Sequence, residues 1–181
     1  TIQLADIDAG NSLTVTAVDI TDGAAGMVGE DINVSLTTNL TATNDIVLDD
    51  ATHDFVGVVD ADGRNITLTD ANSLTLGGVA AKGALTATAV SGVLEDDGVS
   101  GTGEDITVAL TTDLTAGGAI TLDDAEHDFT GAVDAAAGDI RIDDTNAFIL
   151  GEVDAGGSLT INAEGSVTDT AGSSITVSTT T

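Results

Sequence analysis

Cysteine, proline, tryptophan and tyrosine are all missing from the 181 residues, phenylalanine occurs three times, and lysine and arginine together occur three times. Each gap excludes something. Without cysteine there is neither a disulfide framework nor a thiolate metal site. The three cations Arg64, Lys82 and Arg141 are scattered singly, so phosphate backbones and anionic lipid surfaces meet no counter-charge, and nucleic-acid and membrane-surface binding are set aside. No apolar run nears the roughly 20 residues of a transmembrane helix, which sets membrane insertion aside as well. A chain with 2% aromatic residues cannot fill its core with the large rings that dominate buried area elsewhere. Its core has to be aliphatic and thin.

What is present points to a folded chain. Hydrophobic residues make up 41% and mean hydropathy is +0.26, whereas disorder needs low hydropathy together with high net charge. The charge itself is extreme: 31 acidic residues give a formal net charge of -28.

The sequence repeats itself. Ile46-Val47-Leu48-Asp49-Asp50-Ala51-Thr52-His53-Asp54-Phe55 matches Ile120-Thr121-Leu122-Asp123-Asp124-Ala125-Glu126-His127-Asp128-Phe129, an offset of 74 residues. The same offset carries Gly29-Glu30-Asp31-Ile32 onto Gly103-Glu104-Asp105-Ile106. Copies run approximately over 1–43 (partial), 44–117 (full) and 118–181 (partial), so the chain reads as a segment of something longer.

Within each copy, segments such as Leu13-Thr14-Val15-Thr16-Ala17, Ile32-Asn33-Val34-Ser35-Leu36, Leu85-Thr86-Ala87-Thr88-Ala89 and Ile106-Thr107-Val108-Ala109-Leu110 alternate apolar with small polar residues, the period of a half-buried strand. Asp22-Gly23, Gly77-Gly78, Asp97-Gly98, Gly117-Gly118 and Gly156-Gly157 read as turns between them. Nothing has helical spacing. Of the all-β architectures, a sandwich has no reason to repeat, whereas a parallel β-helix buries each coil on the next one and so favours self-similar units with inward aliphatic ladders. The expectation is a single β-solenoid over 1–181, with each copy making three coils of about 25 residues or four of about 18.

Ile120-Thr121-Leu122-Asp123-Asp124-Ala125, Asp128-Phe129-Thr130-Gly131-Ala132-Val133, Gly138-Asp139-Ile140, Leu150-Gly151 and Gly157-Ser158-Leu159-Thr160 resemble the repeats of large bacterial adhesins of the filamentous-haemagglutinin type, as does the copy from Ile46 to Gly98. The resemblance implies a right-handed parallel β-helix, secretion across the outer membrane, and residence at or outside the cell surface as a fibrous stalk or adhesin. The chain departs from that pattern in its acidity and in His53 and His127.

Several residues compete for a functional role. The pairs Asp49-Asp50, Asp123-Asp124 and Asp143-Asp144, and with them Glu95-Asp96-Asp97, sit at strand ends where oxygen ligands for Ca²⁺ could converge, against the plainer reading of solvated turns; the six paired aspartates are the candidates carried forward. Asp60-Ala61-Asp62-Gly63 fails the EF-hand pattern from Arg64 onward. His53-Asp54-Phe55 and His127-Asp128-Phe129 read as corners with a buried Phe and a His-Asp cap; too few neighbours of the right kind surround them for a closed metal site. Catalysis finds no support: Arg64, Lys82 and Arg141 face Gly138, Gly156 and Thr67 in the other copy, and there is no nucleophile elbow or aromatic sugar platform. Thr-x-Thr pairs such as Thr67-x-Thr69 and Thr86-x-Thr88 do not recur at one fixed position, against an ordered ice-binding array. The reading is therefore a non-enzymatic acidic rod, needing no cofactor, that self-associates or stacks on flanking repeats, with a host-cell, surface or glycan receptor left open as a partner. The alternative is a Ca²⁺-dependent matrix or ligand-binding module.

Overall fold

A computed structural model describes residues 1–23, 31–99 and 105–178; the Gly29-Glu30 and Gly103-Glu104 halves of the repeat match lie outside them. Among the described residues there are strands and no helix. Every pairing is parallel. Two long sheets alternate along the chain, so that each coil lays one strand in the first sheet and the next in the second. A shorter three-stranded sheet of Ile7–Ala9, Ile32–Val34 and Asp54–Phe55 completes one side near the N-terminal end. This is the parallel β-solenoid that the repeat and the strand period call for.

The period of two explains the core. In Ile46–Leu48, Ile66–Asp70 and Leu85–Ala89 the apolar positions Ile46, Leu48, Ile66, Leu68, Leu85 and Ala87 are buried. Parallel register then stacks like on like: Ile20 on Ile46, Ile46 on Ile66, Ile66 on Leu85. Each such ladder withdraws aliphatic surface on both sides at about 25 cal/mol per Å², and its neighbour, one strand spacing of about 4.8 Å away, supplies the van der Waals contact. Phe55, Phe129 and Phe148 are fully buried, with Phe129 and Phe148 edge to face at 6.3 Å between centroids.

Coil length differs from both expectations. Between Ile46 and Ile120 the chain passes through Val59–Gly63, Ile66–Asp70, Leu74–Ala81, Leu85–Ala89, Leu94–Asp96 and Thr112–Ala116, alternating between the two sheets. The copy of the Ile46 strand therefore lies in the opposite sheet: Ile46–Leu48 is in the first and Ile120–Leu122 in the second. A 74-residue copy makes three and a half coils, not three or four, and successive copies are turned by half a revolution about the axis. Coils are unequal: Leu94–Asp96 and Ile106–Val108 pair with two halves of the same strand, Leu74–Ala81.

Gly77-Gly78 is not a turn. It lies inside Leu74–Ala81, where the register to Val59–Gly63 shifts between Leu76 and Val79. A β-carbon on Gly77 would stand 2.3 Å from Asp60 Oδ1 and 2.6 Å from Val58 Cγ1, and Gly78 N–H donates to that same Asp60 oxygen at 3.0 Å. The glycines permit a bulge, which sequence alone does not distinguish from a turn.

Candidate functional site

A buried polar corner follows Ile46–Leu48 in the first sheet and recurs after Ile120–Leu122 in the second. His53 is wholly buried and Asp22 is 5% exposed. His53 Nε2–H donates to Asp22 Oδ2 at 2.9 Å, and its Nδ1 accepts the Ile32 N–H at 3.1 Å. The same Asp22 oxygen accepts the N–H groups of Asp49 and Asp50 at 2.8 and 3.1 Å. Seventy-four residues on, His127 binds Asp96 Oδ2 at 3.0 Å and the Ile106 N–H at 3.0 Å, while Asp96 accepts from Asp123 and Asp124. Burial would push the Asp96 carboxyl up, but the His127 hydrogen bond and the two backbone N–H groups outweigh it, and the group is held below the usual carboxylate range.

A second carboxylate locks the other side of each corner. Asp70 accepts the Phe55 and Asn72 N–H groups, both at 2.6 Å, and Asp144 accepts those of Phe129 and Asn146 at 2.8 and 2.7 Å. Burial raises the Asp70 carboxyl above its ordinary value despite those donors. The expected buried Phe is there, but the histidine is not a cap on its own turn: it reaches an aspartate 31 residues earlier. Sealed from solvent with both ring nitrogens engaged, the imidazoles have no free lone pair for a metal or a substrate proton. Asp96, read within Glu95-Asp96-Asp97 as an acidic strand end, is instead a buried structural carboxylate, and the same part of Asp22 and Asp70 escaped sequence reading because such a carboxylate looks like any turn aspartate. The available signal was that Asp22 and Asp96, like Asp70 and Asp144, occupy equivalent positions of the repeat.

The six aspartates read as calcium candidates are spread among different tasks. Asp123 and Asp143 both pair with Arg141, Asp143 at 3.1 Å. Asp143 also accepts from Asn162 at 2.8 Å, and Asp144 serves the Phe129 corner. Asp49 and Asp50 give their backbone N–H groups to Asp22, and the Asp50 carboxylate accepts the Thr52 N–H at 3.1 Å. Among the described residues, Asp124 alone of the six joins a group of three acids: ligand oxygens of Asp105, Asp124 and Glu126 all lie within 4.8 Å of one another. Glu126 and Asp105 were not among the residues singled out by sequence.

The outward faces differ between copies. Asp113 and Asp134 are register partners, with Glu152 and Asp154 on the next strand; in the other copy the equivalents are Asn39, Asp60, Gly78 and Ala80. Although Asp113 is on the exposed face of its strand, partial desolvation by its neighbours, and then the Asp134 charge, raise its carboxyl. Thr67 and Thr69 stack on Thr86 and Thr88, but the first column continues into Asp113, so no flat threonine array forms there.

A model for a family of repeats of unknown function (DUF5649) matches residues 1–62, 63–136 and 137–181. The middle match spans one 74-residue period, cut at a different phase from the copies marked in the sequence. No curated protein and no solved structure matches the chain.

Proposed function

We propose, on the premise that this chain belongs to the DUF5649 family of repeats of unknown function, that it is a stiff acidic rod. In this reading it is a structural or adhesive segment of an extracellular bacterial fibre or surface adhesin of the filamentous-haemagglutinin type. The observation that carries the reading is the uninterrupted parallel stacking of coils across copy boundaries, which makes length proportional to the number of copies. Ladder hydrogen bonds and aliphatic stacks resist bending, which suits a spacer that holds something else away from a surface.

The charge supports the same role. Eight spacings of about 4.8 Å separate nine stacked strands of the first sheet, so -28 charges sit on a rod about 40 Å long, comparable to duplex DNA at one charge per about 1.7 Å. Such rods repel side by side and remain dispersed. Association is then directed to the ends, where Val167–Asp169 and Ile175–Val177 are exposed along their length and flanking coils or further copies stack.

Immunogold labelling of intact source cells with antibodies to this segment tests the role. Label along surface projections or shed fibres is the expected result; label confined to the cell interior overturns the proposal.

A further inference from the structure

The last described coil repeats most of a corner that the chain closes twice. Asp22 follows Ile20 by two residues and Asp96 follows Leu94 by two, and each aspartate takes a histidine from 31 residues further on. Val167 is the third member of that set, because its register partner is Phe148, as Leu74 is the partner of Leu94 and Ile2 of Ile20. Asp169 therefore stands where Asp22 and Asp96 stand. The backbone half of the corner recurs as well. Ile175 pairs with Val153 as Ile106 pairs with Val79 and Ile32 with Ile7. Each inner residue donates its N–H to the carbonyl just before the isoleucine: Val153 to Ser174, Val79 to Asp105, Ile7 to Asp31. The isoleucine N–H is thereby directed at the following coil, where those of Ile32 and Ile106 meet Nδ1 of His53 and His127.

At this third place the same positions are open to solvent. Ile20, Ile32, Leu94 and Ile106 are fully buried, whereas Val167 and Ile175 are 46% and 43% exposed. Asp169 is exposed with them, and among the described residues no hydrogen bond or ion pair reaches its carboxylate. We propose that this edge is a docking surface for one kind of coil, another stretch of the same repeat with an Ile-x-Leu-Asp-Asp strand and the His-Asp-Phe that follows it, whose histidine bridges Asp169 and the Ile175 N–H. The inference rests on the stacking at the rod ends proposed for this chain and adds what the end selects. Continuity with the stack already formed identifies the occupant. Ile46 covers Ile20 and Ile120 covers Leu94, and each time the covering coil brings the aspartate one imidazole and two backbone donors. The N-terminal end of a second copy does not fit that description. Its Leu4-Ala5-Asp6-Ile7-Asp8-Ala9 matches Leu150-Gly151-Glu152-Val153-Asp154-Ala155, a strand without histidine, and would cover Asp169 with no imidazole donor. Burying a carboxylate without its donors is costly, so the end discriminates against a coil of the wrong phase.

Two extensions of the full chain, equal in length, test the selection. One adds a second 113–156 directly after residue 181, which sets its histidine 21 residues beyond Ile175, the spacing from Ile32 to His53 and from Ile106 to His127. The other adds a second 1–44, which contains no histidine. Asp169→Ala is expected not to lower the urea midpoint of the 181-residue chain, where the carboxylate is exposed. In the 113–156 extension it is expected to cut hydrogen-exchange protection of the appended coil about tenfold or more, and in the 1–44 extension to cut nothing. The unmutated 113–156 extension should show by NMR a third slowly exchanging imidazole N–H beside those of His53 and His127, lost on Asp169→Ala. Equal responses of the two extensions to Asp169→Ala, or an appended imidazole N–H that exchanges freely with solvent, would overturn the proposal. If the appended coil docks in this way while immunogold label lies only in the cell interior, the docking surface stands and the extracellular role falls.

Discussion

His53 and Asp22 meet across 31 residues of chain in a single neutral-imidazole arrangement: Nε2–H points to Asp22 Oδ2 at 2.9 Å because Nδ1 is occupied by the Ile32 N–H. The backbone donor fixes the tautomer, and the tautomer aims the other nitrogen at the carboxylate. His53→Ala is expected to cost about 3 kcal/mol, since it orphans a buried N–H and removes one of three donors from a buried carboxylate. His127→Ala is expected to match it. Urea midpoints of the two single mutants measure this; a loss below about 1 kcal/mol in both would show that the corner is held by packing alone.

Acid should loosen the Asp96–His127 corner. The folded Asp96 carboxyl lies below its ordinary value, so its ionised form adds stability that is fully present above the unfolded value of about 3.9 and is lost as pH falls through the folded one. Asp96→Asn keeps an acceptor for the backbone N–H groups but cannot ionise. Its stability is expected to fall less steeply than that of the wild type below about pH 4, and equal slopes would refute the assignment.

Asp113 works in the opposite sense. Its carboxyl is raised by partial desolvation on the crowded acidic face and by Asp134, so ionisation there opposes folding above the raised value and ceases to do so once pH drops below the unfolded one. Asp113→Asn, the residue found at the equivalent Asn39, should raise the melting temperature at pH 7 and leave it nearly unchanged at pH 3. Thermal melts at the two pH values provide the comparison, and an equal gain at both would point to a cause other than charge.

Gly57 and Gly131 occupy equivalent positions where coils come closest. A β-carbon would stand 2.3 Å from Leu36 O at the first and 2.0 Å from Leu110 O at the second. Either Gly→Ala change must push neighbouring coils apart, at a cost of about 1 to 3 kcal/mol. Gly10, with nothing within 4 Å, should accept alanine without measurable loss. Chemical denaturation of the three variants decides; equal stabilities would show that the coils yield freely.

Phe129 and Phe148 are both fully buried, yet they should not be equally exacting. Phe129 has Phe55 as its counterpart, while Phe148 aligns with Leu74. Phe129→Ala is expected to cost about 3 to 5 kcal/mol and Phe148→Leu about 1. A larger loss for Phe148→Leu than for Phe129→Ala would show that the two copies do not share one core design.

The architecture was legible because it depends on periods. Alternation in Leu85–Ala89 and the 74-residue recurrence are properties of the string itself, and both point to stacked coils. Pairing partners are less accessible. Gly77-Gly78 has turn composition but lies in a bulge, because what matters is the approach of Asp60 and Val58 from the previous coil. The acidic groups were hardest to sort. Asp144 is sequestered by backbone donors and Asp143 by Arg141, while Asp124 finds Asp105 from the previous coil; nothing in the spacing of Asp123-Asp124 separates these fates, since each is decided by the coil alongside.

The half-revolution between copies gives repeat number a directional meaning. A corner such as that of His53 faces one side of the rod and its His127 counterpart the other, so any one side meets the same feature only after two copies, seven coils or about 34 Å. Gain or loss of a single copy in such an array would therefore do more than change its reach: everything beyond the change would swing round to the back. Copy number thus acts as a parity code for which way the distal part of the molecule looks.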